Sequence, residues 1–170
     1  MIIEQELQIG AAEMERLMDA YGDILLRVCY LYLKDLQLAE DALQETFLRA
    51  YRGYGHFKRE SSEKTWLTSI ACNVCKNMLR GSMKKQREEL PLEEAVLPGQ
   101  EEPSGDDTLL RAIMSLSPKH REVVLLYYYQ GFCVREIADI LDAPVSTISV
   151  RMKRARKALR ERLGGWYYGE

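Results

Sequence analysis

Between Val145 and Leu163 the chain carries seven bases, Arg151, Lys153, Arg154, Arg156, Lys157, Arg160 and Arg162, against one acid, Glu161. Cations at that density along one segment suit the neutralisation of nucleic-acid phosphates. Ser146, Thr147, Ser149, Val150, Arg151, Lys153 and Arg154 lie near the start of the segment, where a recognition helix reaches base edges while the remaining bases reach phosphates. A solvated basic face is the plainer reading of such a run. What precedes it favours DNA: a short helix over 134–141, a turn at Asp142, Ala143 and Pro144, then a long helix over 146–163. That is the helix-turn-helix arrangement, whose second helix enters the major groove. Ile137, Ala138 and Leu141 supply the inner side of the short helix, and Ile148, Met152, Ala155 and Leu159 that of the long one. Cys72 and Cys75 form a C-x-x-C, a pattern used for zinc or thiol redox chemistry. The pair falls inside a predicted helix with no second ligand pair, and His56 and His120 are isolated in sequence. No metal or cofactor is expected, and Cys29 is expected in the core as a small hydrophobe.

The elements that must hold these groups are helices. Apolar residues recur at spacings of three and four, as in Leu36, Ala39, Leu43, Phe47 and Ala50, and in Trp66, Ile70, Val74 and Leu79. The pattern predicts helices over 12–33, 36–51 and 62–85, broken near Gly53 and Gly55 by a loop over 53–61. A further helix is expected after Ser117, as N-cap, with Pro118 at its first position, ending at Gly131 as a left-handed residue. From Glu88 to Asp107 there are eight acids, no base, and Pro91, Pro98, Gly99, Pro103 and Gly105. Such a stretch buries little and reads as a flexible acidic linker. The fold class is therefore all-α, with two small helical domains, residues 1–87 and 106–170, joined by a linker over 88–105. The net charge of −2 over 170 residues hides this asymmetry. The longest apolar run, Val123 to Tyr129, is far short of the roughly 20 residues of a membrane helix, and Glu4 and Glu6 do not suit a secretory signal. An intracellular protein with reduced thiols is expected. Tyr127, Tyr128 and Tyr129 cannot all face one side of a helix, and the tail Trp166, Tyr167 and Tyr168 is assigned no role.

The stretch LSPKHREVVLLYYYQGFCVREIADILDAPVSTISVRMKRARKALRERL resembles region 4 of bacterial sigma factors. LAEDALQETFLRAY resembles region 2.2 and TWLTSIACNVCKNMLR region 2.4. Two domains without a region 3 between them are the layout of the extracytoplasmic-function group of the sigma-70 family. The resemblance implies a non-enzymatic initiation subunit that binds core RNA polymerase through its β and β′ subunits and directs it to promoter DNA, without a cofactor or small-molecule substrate. It implies that Asp41, Gln44, Glu45, Phe47 and Leu48 meet the β′ clamp helices. Four of these share one helix face by spacing, with Phe47 beside them, and acids there steer docking onto a basic partner.

The resemblance further implies that Phe57, Lys58, Arg59, Ser61 and Ser62 form a pocket for an unstacked base of the minus-10 element, with Asn73, Lys76, Asn77 and Arg80 presenting amides and cations to the melted strand. Captured bases then stabilise the melted state without ATP. It places Ser146, Thr147, Ser149, Val150, Arg151, Lys153 and Arg154 on the minus-35 element. An anti-sigma factor is implied as the inhibitory partner, with a cytoplasmic protein reaching the membrane only through it. The chain departs from the family pattern at Ser149 and Val150, where many members have a basic residue and Ser. Cys133 stands where a Ser or Thr cap is usual, and Cys72 where many have Arg. A stand-alone helix-turn-helix regulator and a thiol sensor using Cys72 and Cys75 are the alternatives.

Overall fold

The computed structural model describes residues 9–89 and 108–164. The acidic linker, beyond Glu89, and the Trp166–Tyr168 tail lie outside the described residues. Every regular element among those residues is helical. The chain divides into two compact units, the first reaching Glu88 and the second comprising nearly all of the rest.

In the first unit α1 (Ala11–Leu33), α2 (Leu36–Gly53) and α3 (Glu63–Glu89) enclose one core. Leu17, Leu25 and Cys29 of α1 meet Ala39, Ala42, Phe47 and Ala50 of α2 and Leu67, Ala71, Val74 and Cys75 of α3. The alanines let the backbones approach closely, which suits ridge-into-groove packing. α1 closes at Lys34 in a left-handed conformation (φ 55°), and the Asp35 carboxylate caps α2 by accepting the Leu38 N–H at 2.9 Å. A single 3₁₀ turn, Tyr54–His56, then leads into a loop that ends at Ser62.

The second unit holds α4 (Thr108–Met114), α5 (Pro118–Val124), α6 (Val134–Ile140) and α7 (Val145–Leu163). Sequence reading missed α4, which packs on α5 and α7. Ser117 does precede α5, yet its hydroxyl makes no capping bond; Pro118 starts the helix and the Ser117 carbonyl accepts from His120 and Arg121. After Val124 the helix widens into a π segment, Leu125–Tyr129. Gly131 closes it at φ +73°, a left-handed residue past the helix end, with the Phe132 N–H bonded to the Leu126 carbonyl at 3.1 Å.

Candidate nucleic-acid interfaces

The helix-turn-helix is built from local bonds. The Glu136 carboxylate accepts the Cys133 backbone N–H at 2.8 Å, which supports the α6 start where Cys133 offers no oxygen. Asp142 turns the chain at φ 48°, the Ala143 N–H bonds the Ala138 carbonyl at 3.0 Å, and Pro144 precedes α7. Ile137 and Ala138 of α6 are buried, as are Ile148, Met152 and Ala155 of α7. Leu141 and Leu159 are only half-buried, while Ile140 and Leu163 are core residues. α6 ends at Ile140, so Leu141 belongs to the turn rather than to the helix's inner side.

Burial of that side leaves Ser146, Ser149, Val150, Lys153 and Arg154 exposed, with Thr147 and Arg151 half-exposed. Two of the seven bases are already engaged inside the unit. Arg156 donates to the Tyr128 hydroxyl at 2.9 Å and lies over the rings of Tyr127 and Tyr128. Arg162 bonds the Ser115 hydroxyl and the Ala112 carbonyl, tying the end of α7 to α4. Both side chains are still exposed, as are Lys157 and Arg160 beyond the first two turns.

In the first unit the loop after α2 is held by aromatic contact. Phe57 stacks on Trp66 with centroids 4.6 Å apart, and Tyr54 meets Trp66 edge-on at 6.1 Å. Beside them lies a cleft of about 320 Å³ lined by Arg49, Gly53, His56, Trp66, Ile70 and Asn73. Asn73, Lys76, Asn77 and Arg80 continue from it along α3, one to two turns apart. Lys58 and Arg59 are exposed, and Arg59 holds a left-handed backbone (φ 57°), a conformation a non-glycine residue adopts at a cost. Ser61 is half-buried. Ser62 acts first as a cap: its Oγ accepts the Thr65 N–H at 3.1 Å and pairs with the Thr65 hydroxyl at 3.0 Å. The signal was the S-x-x-T spacing ahead of an apolar helix.

A charged network steadies this loop from behind. Arg16 makes a two-pronged bond to Glu13, at 2.6 and 2.9 Å, and reaches Glu63 at 2.7 Å. The Tyr54 hydroxyl donates to Glu13 at 2.9 Å and that of Tyr21 to Glu63 at 3.3 Å. Donation from Arg16, then from Tyr54, pulls the Glu13 carboxyl down to about 2. Burial, with donation to Glu13, pushes the Tyr54 hydroxyl up. Sequence reading assigned nothing to Arg49, His56 or this network, because the cleft lining converges only in three dimensions and the bonds that tie Arg16, Tyr21 and Tyr54 across helices join residues 41 to 47 apart.

On α2, Asp41, Gln44 and Leu48 are exposed and Glu45 half-exposed, so the four form the surface row that their spacing predicts. Leu48 is 50% exposed among polar neighbours. Glu45 is paired with Arg49 at 2.7 Å, and Gln37 donates to Asp41 at 3.5 Å. Phe47 does not join the row. At 7% exposure it is a core residue, packed in the cluster that holds Ala50 and, at its edge, Leu43.

Cys29, Cys72 and Cys75 are buried thiols that take part in no disulfide. A hydrogen bond shared with Cys29, reinforced by burial, pushes the Cys75 thiol far up, which keeps it un-ionised. Among the described residues no group of three or more metal-ligating side chains is gathered. Among them, too, no helix is long and apolar enough to cross a membrane.

Fold and surfaces together define a helical protein with a helix-turn-helix in one unit and a cationic, aromatic-edged helix face in the other. Family models for sigma-70 region 2 match residues 17–85 and for sigma-70 region 4 residues 106–159. The ECF RNA polymerase sigma factor SigW of Bacillus subtilis is 33% identical over 164 residues, covering 86% of this chain and 87% of that protein. The ECF RNA polymerase sigma factor SigM of Mycobacterium tuberculosis is 32% identical over 143 residues, covering 82% and 71%. Among solved structures, the sigma factor RpoE bound to the anti-sigma factor NepR from Bartonella quintana shares the fold with a TM-score of 0.72. It is 24% identical, covering 91% of this chain and 98% of that one. CnrH bound to the cytosolic domain of CnrY gives 0.68 at 19% identity, covering 92% and 91%. The chain belongs to the extracytoplasmic-function group of the sigma-70 family.

Proposed function

We propose that this protein is a dissociable initiation subunit that joins core RNA polymerase, selects promoters and stabilises their melted form. The observation that carries the reading is that each unit presents its own nucleic-acid face. α7 offers a row of hydroxyls and cations for the duplex of the minus-35 element. The Asn73-to-Arg80 row of α3, running from the Trp66 cleft, suits a single strand, which is held by cations together with stacking or pocket contacts. Phe57 is half-buried on Trp66, so the cleft and the Lys58–Arg59 rim, rather than a free Phe57 ring, are the parts that receive an unstacked base of the minus-10 element.

The Asp41, Gln44, Glu45 and Leu48 row is the docking surface for the polymerase clamp: an exposed leucine gives apolar contact, and the acids give register against a basic helix. The reaction chemistry belongs to the polymerase; this chain supplies binding and geometry and is not itself an enzyme. RpoE is seen bound to the anti-sigma factor NepR, and CnrH to the cytosolic domain of CnrY. A partner of that kind, covering the docking row or the DNA faces, is the proposed means of inhibition, and it can hold this otherwise cytoplasmic protein at a membrane.

Run-off transcription with purified core polymerase on a pool of promoter fragments tests this. Specific transcripts that require the protein, and that weaken at least tenfold with Asp41→Ala plus Gln44→Ala while the fold is unchanged by circular dichroism, are expected. DNA binding without polymerase association or specific transcripts would sink the reading in favour of a stand-alone regulator.

A further inference from the structure

Val150 is an apolar side chain in the middle of a polar and cationic face. It is 46% exposed. Its neighbours one turn before and after it are Ser146, Thr147, Lys153 and Arg154, all exposed or half-exposed. The buried side of α7 runs through Ile148, Met152 and Ala155, so Val150 adds nothing to the core. Helix formation does not account for it either. A β-branched residue loses side-chain freedom in a helix and is a poorer helix former than the Lys or Arg around it.

What Val150 contributes is a patch of apolar surface within the first two turns of the helix, the part of a recognition helix that meets base edges. The major groove displays hydrogen-bond donors and acceptors, none of which valine can satisfy. It displays one apolar group, the thymine C5-methyl. Resting on the sigma-factor reading, we propose that Val150 is a specificity-determining residue that packs against a thymine methyl of the minus-35 element. The base pair facing it is thus A·T, in a fixed orientation. Val145, 48% exposed at the first position of α7, is the competing apolar group. It lies five residues away and so off the face that Val150 occupies.

The test uses the full chain with core polymerase and promoters recovered from the transcribed pool. Each thymine of the minus-35 element is replaced by uracil, one position and one strand at a time; this removes the methyl and leaves every hydrogen-bonding group in place. One position is expected at which uracil lowers open-complex formation about fourfold, the weight of roughly one methyl group returned to water. That loss should vanish with Val150→Ser and persist with Val145→Ser, both of which should melt like the parent protein. Specific initiation with no uracil-sensitive thymine, or a loss that Val150→Ser leaves intact, or one that disappears only with Val145→Ser, would overturn the inference alone. Absence of specific initiation on every fragment would overturn the sigma-factor reading beneath it.

Discussion

At the scale of single residues, exposed charges here divide into those that hold the protein and those left to a partner. Arg154 and Arg156 are both exposed, two positions apart on α7. Arg156 is committed to Tyr127 and Tyr128. Arg156→Ala should lower the stability of the second unit by about 0.5–1 kcal/mol, the usual weight of an exposed cation–π contact, as read from urea midpoints. Arg154→Ala should leave those midpoints in place. It should instead reduce the slope of log affinity against log salt for holoenzyme on promoter DNA by about 1, one phosphate contact fewer. Equal salt slopes for the two variants would show that the division is wrong. Glu13 gives a second residue-scale outcome. Its carboxyl, ordinarily near 4.5, is held at about 2 by Arg16 and Tyr54. A depressed carboxyl contributes stability that is present above the ordinary value and is lost as pH falls towards the depressed one. The urea midpoint of Glu13→Gln should therefore lie below that of the parent at pH 6, and the two should converge between about pH 4.5 and 2. A gap that stays constant over that range would remove Glu13 ionisation as the cause.

At the scale of elements, the sites depend on how helices begin and end. Ser62→Ala removes the bond to the Thr65 N–H, and it should cost about 1 kcal/mol and loosen the first turn of α3, which carries Trp66. Gly131→Ala keeps open space around the new methyl but forces a left-handed alanine, costing about 1–2 kcal/mol. Thermal melts of the full chain read both effects. These ends also mark what was legible beforehand. Gly131, the Asp142-to-Pro144 turn and the i, i+3, i+4 rows of α2, α3 and α7 follow from local rules, so spacing alone located them, although α3 runs four residues past its expected end, to Glu89. α4 was not legible, since seven residues beside an acidic, proline-containing stretch show too few turns to reveal a period. Nor was the π segment, because one added residue per turn leaves the apolar pattern of Leu125 to Tyr129 unchanged. The core place of Phe47 was available in the sequence: it is four residues from Leu43 and three from Ala50, the row that faces inward. The cleft residues Arg49 and His56 and the Arg162–Ser115 tie join parts of the chain that no window of sequence contains.

At the scale of the whole molecule, opposite charges are segregated rather than mixed. Eight acids without a base lie between Glu88 and Asp107, and seven bases with one acid lie between Val145 and Leu163, in a chain of net charge −2. Non-specific attraction to DNA follows the summed field of the protein as well as its nearest cations. The acidic stretch should thus weaken the free protein's hold on arbitrary DNA. In the holoenzyme the polymerase raises the effective concentration of each unit at its own promoter element, which compensates for weak individual binding. Replacing the eight acids by their amides should raise the affinity of the free protein for a non-promoter duplex by on the order of tenfold at low salt. The gain should shrink as added salt shortens the screening length from about 30 Å at 0.01 M to about 3 Å at 1 M. Fluorescence anisotropy across that range reads both quantities. The selectivity of the holoenzyme for promoter over non-promoter fragments should fall in the same variant. Unchanged affinity at low salt would mean that the acidic stretch and the basic helix act independently, and that discrimination against bulk DNA rests on the two nucleic-acid faces alone.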